Sequence, residues 1–168
     1  MLPAIALMRK FWRLARHDRL LVLEATVWLA VAGFAIAILP FRNVGRLATR
    51  PVRRPGLPQQ ARLTEVRRIR WAIAASATRV PWRAMCFQQG LAAQFMLRRR
   101  GVPSVLYYGV APDDERGLSA HVWVCDGNVD VIGCEIASRF AVLATFPPQS
   151  DRNHPPMASI GLSRNRNT

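Results

Sequence analysis

The change of hydrophobic period at Gly101 constrains this chain more than any other feature. Before it, apolar residues recur at helical spacing: Val66, Ile69 and Ile73 in one run, then Phe87, Leu91 and Phe95 at four-residue intervals in the next. After it the period drops to two. SVLYYGV at 104–110 and LSAHVWVC at 118–125 read as strands separated by the polar loop APDDERG, and NVDVIG at 128–133 returns as a third strand. Asp126–Gly127 between the last two is a strong hairpin signal. FAVLATF at 140–146, before Pro147–Pro148, is a candidate fourth strand. Helices followed by sequentially joined short strands predict an α+β fold, a helix packed on an antiparallel meander.

Local signals set the expected boundaries. One helix opens near Thr64 and runs to Val80–Pro81, because the residue before proline disfavours helical backbone. The next spans roughly 83–100, with Arg98, Arg99 and Arg100 in its last turn opposing the dipole and Gly101 closing it. In front, residues 3–17 suit a basic helix, and Asp18 suits the cap of a helix that Pro40 terminates. Residues 41–60, rich in Arg, Pro and Gly, read as a linker or extended crossing segment without a long apolar face. The expected organisation is a helical, basic segment and linker over 1–60, a core over 61–148 and a loose polar tail over 149–168.

Leu20 to Leu39, LLVLEATVWLAVAGFAIAIL, is long enough to cross a bilayer. Glu24 would then lie near an interface, and basic residues flank both ends, so no orientation is signalled. A core helix, or one docked on a partner, is the other reading. The net charge of +14 resides in the front half: residues 1–100 hold only Asp18, Glu24 and Glu65 as acids. That asymmetry suits an anionic membrane surface or an acidic protein. Nucleic acid is disfavoured by the lack of zinc-finger spacing, RNA-binding aromatics or a clear helix-turn-helix. Lys10 is the sole lysine, so a G+C-rich genome also explains the arginine excess. Cys86, Cys125 and Cys134 include no CxxC pair and by spacing fit neither a disulfide framework nor a zinc site, which points to a reducing cytoplasm.

Three residues carry the candidate chemistry. Cys86 falls in the first turn of its helix, where unpaired N–H groups and the positive dipole end stabilise a thiolate and suit a developing oxyanion. An ordinary buried cysteine is the plain alternative. His121 lies mid-strand. With Asp126–Gly127 as a two-residue turn, Trp123 faces Asp130 and His121 faces Ile132, so Asp130 is a diagonal neighbour able to orient the imidazole. A three-residue turn would move Asp130 to the other face, leaving Asp126 as the nearest acid, though its place in the turn suits it better to shaping the loop. Trp82 and Gln88 flank the nucleophile as candidate oxyanion or pocket residues. A core anchor and a solvated helix residue are their plainer roles.

The stretch PWRAMCFQQGLAAQFMLRRRGVPSVLYYGV, followed by AHVWVCDGNVDVIG, resembles the leader peptidases of bacterial lasso-peptide biosynthesis, small transglutaminase-like cysteine proteases. The resemblance spans most of residues 20–148. It implies a transglutaminase-like (papain-like) core with Cys86 attacking the scissile carbonyl, His121 shuttling the proton and Asp130 orienting His121, with no metal or organic cofactor. The implied partners are a precursor peptide bearing a leader, a separate leader-recognition protein and an ATP-dependent synthetase that forms the lactam. Cys125 stands beside the turn where a polar residue is expected. It is placed to share the face of His121, whereas Cys134 reads as packing. An acyltransferase or amidase with the same triad, and a membrane-associated scaffold with a vestigial triad, are the alternatives.

Overall fold

A computed structural model of the chain describes residues 14–49, 56–115 and 117–148. Among these residues four helices come first: α1 (Arg16–Ile38), α2 (Phe41–Ala48), α3 (Gln59–Ala77) and α4 (Cys86–Arg99). Strands β1 (Val105–Asp113), β2 (Gly117–Asp126) and β3 (Val129–Ile132) follow, then a 3-10 turn (Cys134–Arg139) and β4 (Ala141–Phe146). The four strands form one antiparallel sheet in the order β3-β2-β1-β4. The α+β arrangement expected from the change of period is thus present. After the β1-β2-β3 meander, β4 crosses back to the free edge of β1.

The sheet has two differently covered faces. On the inner face Leu106, Val122, Val124 and Val131 pack into one core with Leu91 and Met96 of α4, Ile69 and Ile73 of α3, and Leu29 of α1. The outer face is smaller. There Tyr107, Trp123 and Cys125 pack against Phe140 and the 3-10 turn that folds back over them. Strict alternation along β2 sends Val122 and Val124 inward and Trp123 and Cys125 outward. Gly90 lets α4 approach closely, since a Cβ there would stand 2.8 Å from Cγ1 of Val122.

The apolar segment 20–39 is a core helix on one side. Leu21, Val22, Ala25, Leu29, Ala32 and Ala35 of α1 are buried against α3 and α4, and Ser76 Oγ donates to the Val22 carbonyl at 3.1 Å. Glu24 meets Arg100 at the end of α4, whose Nη1 and Nη2 donate at 3.1 and 2.6 Å, and Arg100 also reaches Glu65 of α3 at 3.0 Å. These contacts tie three helices together. The opposite side of α1 remains apolar and open, with Leu20, Leu23, Val27, Phe34 and Ile38 exposed. By length and composition alone α1 could cross a membrane.

Several local expectations are corrected. Asp18 is not the cap of α1: the helix starts at Arg16 after Ala15, and the Asp18 carboxylate lies 3.0 Å from His17 and 3.8 Å from Arg68. Part of the expected linker is helical, because Val44 and Ala48 of α2 find the core. Helix α3 begins before Thr64, at Gln59, and α4 begins at Cys86 rather than Arg83. The polar loop after β1 is shorter than expected, with the β1–β2 ladder continuing to Asp113↔Gly117. Most of the basic helix over 3–17 and all of the tail after 148 lie outside the described residues.

Candidate active site

Cys86 is the first residue of α4, half-buried and packed against the inner core. The two glutamines behind it hold the approach to the helix. Gln88 Oε1 accepts the Met85 N–H at 3.1 Å, and Gln89 Nε2 donates to the Ala84 carbonyl at 2.8 Å. Gln88 is therefore a capping residue, and its amide nitrogen abuts Gly33 of α1, 2.7 Å from where a Cβ would stand. Trp82 is 37% exposed in the segment before α4, so it is no core anchor. At the far end, the Gly101 and Val102 N–H groups donate to the Arg98 and Leu97 carbonyls and close the helix.

His121 lies opposite Gly109 on β2 and shares the parity of Trp123 and Cys125, which sets it on the outer face. Its ring packs against Phe140, with centroids 5.1 Å apart, and stacks beside Trp123 at 6.1 Å. Nε2 lies 2.7 Å from the Gly133 carbonyl. A carbonyl only accepts, so Nε2 carries the proton and Nδ1 is left as the basic nitrogen. The thiol of Cys86 is on the inner side, beside Phe87, whose ring meets Tyr108 edge-on. The sheet therefore separates the two residues, and among the described residues no hydrogen bond joins them.

The hairpin register differs from the expected one. Asp126 pairs with Val129, so Gly127–Asn128 forms the turn, and Gly127 has φ 57°. That turn by itself sets Cys125 opposite Asp130, and a bulge beyond it, which skips Val131, sets Val124 opposite Ile132. Asp130 thus stands opposite Cys125 rather than Trp123, further from His121 than the simple hairpin would place it. The group that meets the His121 Nε2–H is the Gly133 carbonyl.

Asp126 does more than shape the loop. It is 2% exposed, and Arg62 of α3 clasps it with Nε donating to Oδ2 at 2.6 Å and Nη2 to Oδ1 at 2.5 Å. The carboxylate raises the Arg62 pKa further, chiefly through this hydrogen bonding. Its partner is 64 residues away in sequence, and no spacing rule could have paired them.

The two remaining thiols come together on the outer face. Cys125 Sγ and Cys134 Sγ are 3.7 Å apart, and together with an Asp130 carboxylate oxygen they lie within 4.8 Å of one another. The hydrogen bond to Cys134, then burial, push the Cys125 thiol far up, while the same bond makes Cys134 the thiol that ionises first. Tyr107, buried alongside, is also pushed up, by desolvation first and then by the two sulfurs. The back-folding 3-10 turn is what brings Cys134 to Cys125 and Asp130.

Residues 28–145, well over half of the chain, match the transglutaminase-like superfamily. No curated protein and no solved structure matches the chain. The match covers the helix that Cys86 opens and the antiparallel sheet that bears His121 on its second strand, and the chain belongs to the transglutaminase-like superfamily.

Proposed function

We propose that the chain is a cysteine peptidase that removes the leader from a ribosomally made lasso-peptide precursor, working with a leader-recognition protein and ahead of an ATP-dependent lactam-forming synthetase. The observation that carries this reading is the place of Cys86 as first residue of α4 in a chain of this superfamily. A thiolate there gains from the helix dipole, and first-turn N–H groups suit the oxyanion of a tetrahedral intermediate. His121 is the base of this proposal, with Nδ1 as its acceptor, and Asp130 is retained as a charge on the same sheet face.

Catalysis requires thiol and imidazole within hydrogen-bond reach. Their meeting accompanies binding of leader and recognition protein. The segment that must move is the open half of β2: residues 117–121 are exposed or half-buried, whereas 122–126 are buried. The test is the rate of alkylation of the Cys86 peptide against pH, followed by mass spectrometry with recognition protein and precursor present. Rapid labelling well below the free-thiol pKa of about 8.5, lost in His121→Ala, supports the pairing. Labelling indifferent to His121 under those conditions removes His121 as the base.

A second reading, a non-catalytic membrane-associated scaffold, is favoured by the separation of Cys86 from His121 and by the open apolar side of α1. It predicts that Cys86→Ala leaves precursor processing unchanged, while Phe34→Glu on the open side weakens binding to anionic vesicles.

A further inference from the structure

We infer that Cys125, Cys134 and Asp130 form a site for a thiophilic divalent cation, with zinc as the fitting ion. The site lies on the outer face, and its ligand set does not include Cys86 or His121.

Zinc–thiolate bonds of about 2.3 Å in a tetrahedron set the two sulfurs roughly 3.7–3.8 Å apart. The Sγ atoms of Cys125 and Cys134 stand 3.7 Å apart. That separation is far beyond a disulfide bond of about 2.05 Å. The Asp130 oxygen completes three ligand atoms that all lie within 4.8 Å of one another.

Cys125 sits in the buried half of β2 and Cys134 opens the 3-10 turn, so their relative placement is fixed by packing against Tyr107, Trp123 and Phe140. Asp130, opposite Cys125 across the β2–β3 pair, brings its carboxylate from the exposed side. Two sulfurs and one oxygen select zinc over magnesium or calcium, and three protein ligands leave a fourth position for water. Among the described residues this is the one such cluster.

Without metal, the two sulfurs satisfy each other, and Cys134 Sγ also reaches the Val124 carbonyl at 3.3 Å. On binding, both thiols lose their protons to solvent, two sulfur–metal bonds form, and nothing is oxidised. The ion then offsets the cost of two thiolates in a partly buried site. It also fixes the chain next to Gly133, whose carbonyl accepts the hydrogen bond from His121. A structural clamp on the 3-10 turn is the role this assigns to the metal.

The experiment uses the full chain carrying Cys86→Ala, kept reduced with a phosphine, so that no third thiol competes. Titration with cobalt(II) is expected to give a saturable thiolate-to-cobalt charge-transfer band and tetrahedral ligand-field bands at one ion per chain, displaced by zinc. Cys134→Ser and Cys125→Ser should each abolish the band, and Asp130→Asn should weaken binding. Because a cysteine variant could misfold, circular dichroism accompanies each titration. A second measurement reads the thermal midpoint of the Cys86→Ala chain, which zinc should raise in a concentration-dependent way by binding the folded state. No band together with an unmoved midpoint overturns the site. So does a band that survives Cys134→Ser in folded protein. An Asp130→Asn chain that binds as tightly as its parent removes the carboxylate and overturns the three-ligand assignment.

Discussion

The Nε2–H of His121 donates to the carbonyl of Gly133 at 2.7 Å, and that one bond decides the tautomer of the imidazole. Gly133 can serve because it lacks a side chain. Its φ is 73°, and a Cβ would stand 2.7 Å from the Val122 carbonyl and 3.3 Å from His121 Nε2. Gly133→Ala therefore strains the backbone and crowds the imidazole together. It is expected to cost about 1–3 kcal/mol, read as a lower denaturant midpoint at unchanged slope. A midpoint equal to the parent would mean that the turn relaxes freely.

The Arg62–Asp126 pair gives an asymmetric prediction. Arg62→Ala leaves a carboxylate buried with its guanidinium removed, and is expected to cost about 3–5 kcal/mol. Adding Asp126→Asn to it should restore part of that loss, since the stranded charge is gone. Chemical denaturation of the two single variants and the double variant checks the cycle. A double variant as unstable as the simple sum would show that the two residues act independently.

Acid stability should depend on Glu24. Hydrogen bonds from Arg100, opposed by burial and aided by the charges of Arg100 and Arg99, hold its carboxyl below the ordinary value of 4.5. The unfolded chain thus binds more protons there, so stability rises with pH across this window. The contribution is complete above 4.5 and is lost as pH falls through the depressed folded value. Glu24→Gln should cost about 2 kcal/mol at neutral pH and flatten the acid limb of the stability profile. Parallel profiles for parent and variant would contradict the assignment.

Helix α1 has two apolar sides with different duties. Leu29 is 0% exposed and Phe34 is 69% exposed. Leu29→Ala should cost about 2–5 kcal/mol by cavity formation, whereas Phe34→Ala should stay within about 0.5 kcal/mol. Thermal unfolding of the two variants measures the contrast. Equal costs would mean that the open side is covered in solution.

The order of elements was legible because period alone separates α4 from β1: Phe87, Leu91 and Phe95 step by four, while Leu106, Tyr108 and Val110 step by two. Cys86 at the head of its helix was legible for the same reason. The faces around His121 were harder. Alternation puts His121 with Trp123, but which side α4 covers is a tertiary outcome, decided by Val122 and Val124 packing on Gly90. The register around Asp130 failed because the two-residue turn is Gly127–Asn128 and not Asp126–Gly127, a choice between neighbouring positions that turn-forming residues at both leave open. The Arg62–Asp126 clasp and the Cys125–Cys134 approach come from chain reversals that spacing does not encode. Length and hydropathy described Leu20–Leu39 as a candidate span, yet could not show that about a third of it is buried in a protein core.

The central claim is that Cys86 is a peptidase nucleophile. Its most direct test is mass spectrometry of a leader-bearing precursor incubated with the chain and the leader-recognition protein, comparing parent, Cys86→Ala and His121→Ala. The account predicts separate leader and core fragments with the parent and none with either folded variant. Processing by Cys86→Ala at the parental rate would contradict it.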